Sequence, residues 1–239
     1  MTSIASPKLE RQNPPKAAPW PELAQILLVL ALLFAPKLIP DLPYSGPIGL
    51  VIAGIGATWL MRRSGQTWGD LGLRWAANKK DLAKGAGMVV LVVVGAVAVN
   101  AAVQPLLNIL LGSAAEREFP DVSTVQLYLT MMVIVWTTAS FGEEMVFRAF
   151  LMSRLSAMFG GTRLAWVLAA FVQAAIFGLG HAYQGIGGII VTGVVGLVFG
   201  LLYLVARRNL WPMIIGHGII NTIGMTVLHL QATGAIAPA

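Results

Sequence analysis

Seven apolar segments, each long enough to cross a bilayer as a helix, take up most of this chain, and little else can be built from them. In hydrocarbon every backbone N–H and C=O must be satisfied internally, which leaves helices or a closed barrel. The runs are too long for barrel strands. Only 11% of the residues are charged, against about 25% in soluble domains. The expected fold class is therefore all-α, a polytopic transmembrane helix bundle of seven spans. The net charge of +6 does not point to nucleic acid. Thirteen of the sixteen Lys and Arg residues fall in the N-terminal tail, Arg62–Lys84, the turn between Arg154 and Arg163, and Arg207-Arg208. That bias predicts an integral membrane protein of the cell membrane with a cytoplasmic N-terminus and, after seven spans, an outward C-terminus. Its first partner is then the lipid bilayer. With no cysteine, the chain has no disulfide, thiol nucleophile or thiolate metal site.

Residues 1–20 are polar and proline-rich and read as a disordered cytoplasmic tail. The first apolar run, Leu23–Ile39, reads as a retained anchor rather than a signal peptide. The second is Gly46–Met61, and residues 21–120 form an N-terminal transmembrane region with an interfacial loop at 64–84. Trp68, Leu71, Leu73 and Trp75 suit that loop to the headgroup level. Asn78 with Asp81 is an N-cap pattern for a helix that runs to about Leu111 and kinks near Pro105. Asn100, Gln104 and Asn108 form an amide stripe on it, suited to interhelical hydrogen bonds. The loop Gly112–Ser123 carries Glu116, Glu118 and Asp121, and Ser123 with Gln126 reads as a capping box. Residues 121–231 form a helical core, with helices to about Met158, then Arg163–Ala182, Gly185–Ala206 and Leu210–Leu230. Residues 232–239 are a C-terminal tail.

The fourth run ends in FGEEMVFRAFLMSRL, which sets two carboxylates and a guanidinium inside an apolar helix. Ionisable groups placed there are costly and mark function unless they merely join helices. Glu144 and Arg148 are i,i+4 neighbours and can pair. Glu143 is turned by about 100° from Glu144 in an α-helix and is left free. A free carboxylate in a poorly solvated pocket suits proton transfer.

Two further i,i+4 pairs lie in later helices, Phe177 with His181 and His217 with Asn221. Glu143 and His181 stand 19 residues either side of residue 162, so an antiparallel hairpin sets them at matching depth. His217 lies only nine residues beyond Arg208 and needs a bend or a deep cytoplasmic cavity to join them. His229 reads as a structural, hydrogen-bonded histidine. A carboxylate and an imidazole can hold and deprotonate water, and an imidazole with an amide can stabilise an oxyanion. Glu143, His181 and His217 could equally hold a divalent metal such as zinc, although no H-E-x-x-H occurs.

At these residues the chain resembles the CPBP intramembrane proteases, which include CAAX prenyl endopeptidases and bacteriocin-processing and self-immunity proteins. The motif E-E-x-x-x-R matches Glu143, Glu144 and Arg148. F-x-x-x-H matches Phe177 and His181, and H-x-x-x-N matches His217 and Asn221. The likeness covers roughly 122–227. It implies an eight-helix fold and an endopeptidase in which Glu143 with His181 activates water and His217 with Asn221 stabilises the oxyanion. Glu144, Arg148 and Phe177 would support the site, and a metal stays an open question. The alternative is a non-catalytic membrane protein, such as a bacteriocin immunity protein or a proton-coupled transporter. No inverted repeat of the transporter kind is visible.

Overall fold

A computed structural model describes residues 20–112 and 119–237. The N-terminal tail and the acidic positions Glu116 and Glu118 lie outside the described residues. Seven helices account for nearly all the rest, and no strand occurs among the described residues. They are α1 (Trp20–Phe34), α2 (Ser45–Arg63), α3 (Lys79–Leu111), α4 (Val125–Met158), α5 (Arg163–Gly180), α6 (Gly185–Val205) and α7 (Trp211–Ala232). Six of them are long and apolar enough to cross a membrane. The exception is α2, which is glycine-rich and ends in Arg62-Arg63, so six spans rather than seven meet that standard.

Helix starts follow local chemistry. The Asn78 side chain accepts the Asp81 N–H at 2.9 Å and opens α3, which continues through Pro105 to Gly112 at φ 57°. At α4 the cap is one residue later than expected. Asp121 accepts the Ser123 N–H at 2.8 Å, and Thr124 accepts from the Leu127 N–H and caps the helix in place of Ser123. Gly160 and Gly161, both at positive φ, turn the chain before Thr162 caps α5. Within α3, Asn100 donates to the Ala96 carbonyl and Gln104 to Asn108.

Small residues let the helices approach closely, as bilayer packing favours. Gly178 lies against the backbone of α6, Gly196 against the Phe177 ring and Gly200 against Gln173 and Ala170. The interfacial loop folds back over the start of α7. Gly72, at φ 105°, accepts the Leu210 N–H at 3.0 Å, and Tyr203 donates its hydroxyl proton to the Leu71 carbonyl at 2.8 Å. A Cβ at position 72 would overlap the Arg208 carbonyl, so the close approach requires glycine. Trp75 stacks edge-on against Trp211 at 4.7 Å, and Leu210, Pro212 and Met213 are buried beneath the loop. The start of α7 therefore lies inside the protein rather than at its edge, which removes the depth problem at His217.

Candidate active site

The middle of α4 is wound wider than an α-helix. Val135–Gly142 and Glu144–Leu151 are π-helical, with i→i+5 hydrogen bonds, and the Ser140 hydroxyl likewise donates to the Val135 carbonyl. π turns are rare and concentrate at functional sites. A wider turn rotates successive residues by less than the ~100° of an α-helix. Glu143 and Glu144 consequently diverge less than the α-helical reading expects, and a single imidazole reaches toward both.

That imidazole is His217. Its Nδ1 lies 2.9 Å from Glu144 Oε1, and its Nε2 lies 3.9 Å from Glu143 Oε2. An ionised carboxylate can only accept, so the Nδ1 proton belongs to His217 and fixes the ring's orientation. Arg148 Nη1 stands 3.1 Å from Glu144 Oε1, and both side chains are fully buried. The pair predicted by spacing is therefore present, as an ion contact that is off-line for a hydrogen bond at Nη1. Glu144 is shared between Arg148 and His217, a partner that the spacing of Glu144 and Arg148 did not reveal.

Arg148 is held by more than charge. Its guanidinium lies over the Phe177 ring at 4.5 Å and near the Phe199 ring at 5.3 Å, and its Nη2 donates to the Gly196 carbonyl at 3.4 Å. Gln173, also fully buried, donates to the same carbonyl at 2.8 Å. Phe199 stands edge-on to His217 at 5.4 Å. Neither residue entered the sequence reading: a lone amide in an apolar helix is the signal that could have marked Gln173, and Phe199 carries none.

Phe147 packs edge-on against Phe177 at 5.0 Å. Residues 147 and 177 are 15 either side of 162, so the antiparallel pairing of α4 and α5 has the register that faces Glu143 toward His181 one turn further on. His181 donates or accepts at Nδ1 with the Phe177 carbonyl, 2.8 Å away, and a carbonyl can only accept, so the proton is on Nδ1. Nε2 is then turned from that bond. No hydrogen bond or ion pair joins His181 to Glu143 among the described residues; His217 is the histidine closest to the carboxylates. Asn221 follows His217 by one turn, half-buried and without a hydrogen bond among the described residues. His229 lies apart from the site, bonded to the Val122 carbonyl at 2.6 Å and stacked on Tyr128, as a structural histidine is expected to be.

Glu143 Oε2 is buried and has no hydrogen-bond partner among the described residues. An unpaired buried carboxylate oxygen facing an imidazole nitrogen at 3.9 Å is too far for a direct bond and is suited to a shared water. Residues 125–223 match the family described as Rce1-like, type II CAAX prenyl endopeptidase Rce1-like. No curated protein and no solved structure matches the chain. The Rce1-like segment begins with α4 and ends two residues past Asn221, so it holds every motif residue and leaves α1, α2 and α3 outside.

Among the described residues, no three His, Asp or Glu side chains gather in a way that would hold a metal ion. Glu143 and His217 approach one another, but His181 does not complete a ligand set with them.

Proposed function

We propose that the Rce1-like segment is the catalytic core of an intramembrane endopeptidase that hydrolyses a peptide bond of a membrane-associated protein, in the manner of CAAX-type processing. The observation that carries this reading is the unpartnered Glu143 Oε2 facing His217 Nε2 at 3.9 Å. A water within hydrogen-bond distance of both sits beside the line joining them. Glu143 takes a proton from that water as the oxygen attacks the scissile carbonyl carbon, and returns it to the departing amine. Asn221 donates its amide N–H to the developing oxyanion, and His181 is assigned to hold the attacking water with Glu143.

The supporting residues follow from charge balance. Glu143, Glu144 and Arg148 sum to one negative charge, and an imidazolium at His217 brings the buried cluster to zero. In that state Nε2–H donates to the oxyanion beside Asn221. Glu144 orients the ring, and Arg148, sandwiched by Phe177 and Phe199, holds Glu144. The protein works in the cell membrane with its N-terminus in the cytoplasm.

Comparative peptide mass spectrometry of membranes carrying the wild type, Glu143→Gln or no protein tests this. New peptide termini are expected with the wild type alone. Their absence, while the wild type still confers a phenotype that Glu143→Gln loses, favours proton-coupled transport over proteolysis.

A further inference from the structure

The helices outside the Rce1-like segment carry none of its motifs, yet the turn after α1 delivers a lysine to the residue before His181. After α1, Ala35–Leu38 form a 3-10 turn in which Pro36 is buried and Lys37 reaches outward. Lys37 Nζ donates to the Gly180 carbonyl at 2.7 Å, across 143 residues of sequence. That carbonyl belongs to the last residue of α5, where unpaired C=O groups and the helix dipole favour a cation. His181 is the next residue. The same Nζ lies 5.5 Å from the Tyr183 ring and 5.6 Å from the Phe34 ring. Tyr183 in turn stands 5.8 Å from the His181 ring.

We infer that Lys37 is a positioning residue of the active site: it ties the α1 turn to the end of α5, fixes the 180–184 turn that carries His181, and sets a positive charge beside that histidine. This inference rests on the peptidase reading for its catalytic half and on geometry alone for its tether. Nothing local in the sequence links Lys37 to a position 143 residues away. The chain contains no cysteine, so a single Ala182→Cys can be spin-labelled without background. Ala182 is exposed and lies inside the tethered turn.

The experiment compares Lys37→Met with Lys37→Arg in the full-length protein reconstituted in liposomes, using two readouts. In the first, Lys37→Met is expected to sharpen the nitroxide spectrum at position 182, and Lys37→Arg, which keeps a charged donor, to leave it broad. In the second, cleavage of the peptide identified by mass spectrometry is expected to show kcat reduced roughly tenfold or more in Lys37→Met, the scale of one charge-assisted hydrogen bond, with KM little changed and activity restored in Lys37→Arg. An unchanged spectrum in Lys37→Met overturns the tether. A mobilised turn with wild-type kcat, or a failure of Lys37→Arg to restore it, overturns the positioning role. If the wild type cleaves nothing, the peptidase reading fails while the spectrum still judges the tether.

Discussion

Arg148 concentrates the residue-scale physics. A guanidinium with no solvent exposure is stable only if its charge is met, and here Glu144, two aromatic faces and the Gly196 carbonyl meet it. Arg148→Ala strands Glu144 beside His217 and is expected to lower stability by about 3–5 kcal/mol, the usual penalty for breaking a buried pair. Arg148→Lys keeps the charge but loses the planar stacking, so it falls between alanine and the wild type. Thermal unfolding in detergent checks both; an alanine variant as stable as the wild type would mean that the guanidinium does not neutralise Glu144. This contact was legible in the sequence, because Glu144 and Arg148 are one helical turn apart. The approach of His217 was not legible. It depends on how the loop 64–78 folds over α7, which no spacing within α7 reveals.

At the scale of elements, α4 and the interfacial loop carry most of what sequence spacing missed. An α-helical register places Glu143 and Glu144 on separate faces, and nothing in FGEEMVFRAFLMSRL marks the π winding that brings both toward His217. The hairpin register was legible, because symmetry about residue 162 needs only two helices and a short turn, and Phe147 against Phe177 obeys it. The loop is braced at two ends. Arg154 donates to Gln66 at 2.7 Å, and Gly72 takes the Leu210 N–H. Within it, the Thr67 hydroxyl and N–H both donate to Asp70 and hold that carboxyl below the usual carboxylate range. A depressed folded-state value contributes stability that is fully present above the unfolded carboxyl's range, roughly pH 4, and is lost as pH falls through the folded value. Hydrogen exchange at Thr67–Leu73, corrected for intrinsic rates, should therefore show less protection at pH 3 than at pH 6, and Asp70→Asn should abolish the difference. Equal protection of the wild type at both values would remove Asp70 from the account.

For the whole molecule, α2 sets the topology. Its nineteen residues span about 28 Å, close to the thickness of a hydrocarbon core. One end lies beside the Lys37 turn, with Gly46 near the Lys37 side chain, and the other leads to Gln66 on Arg154. The helix thus covers the height between the two ends of the bundle, and seven crossings are predicted although only six helices meet the hydropathy standard. A C-terminal reporter should read as outside the cytoplasm; a cytoplasmic reading would give an even number of spans. The arrangement as a whole places one carboxylate, free of partners, where a water can be shared with His217. Its most direct test is cleavage in H₂¹⁸O by the purified protein in liposomes, on the peptide that membrane mass spectrometry identifies. The wild type is predicted to release a product whose new carboxyl terminus carries solvent ¹⁸O, and Glu143→Gln to do so ~10²-fold more slowly or not at all. Cleavage by folded Glu143→Gln at close to the wild-type rate would contradict the assignment of Glu143 as the base.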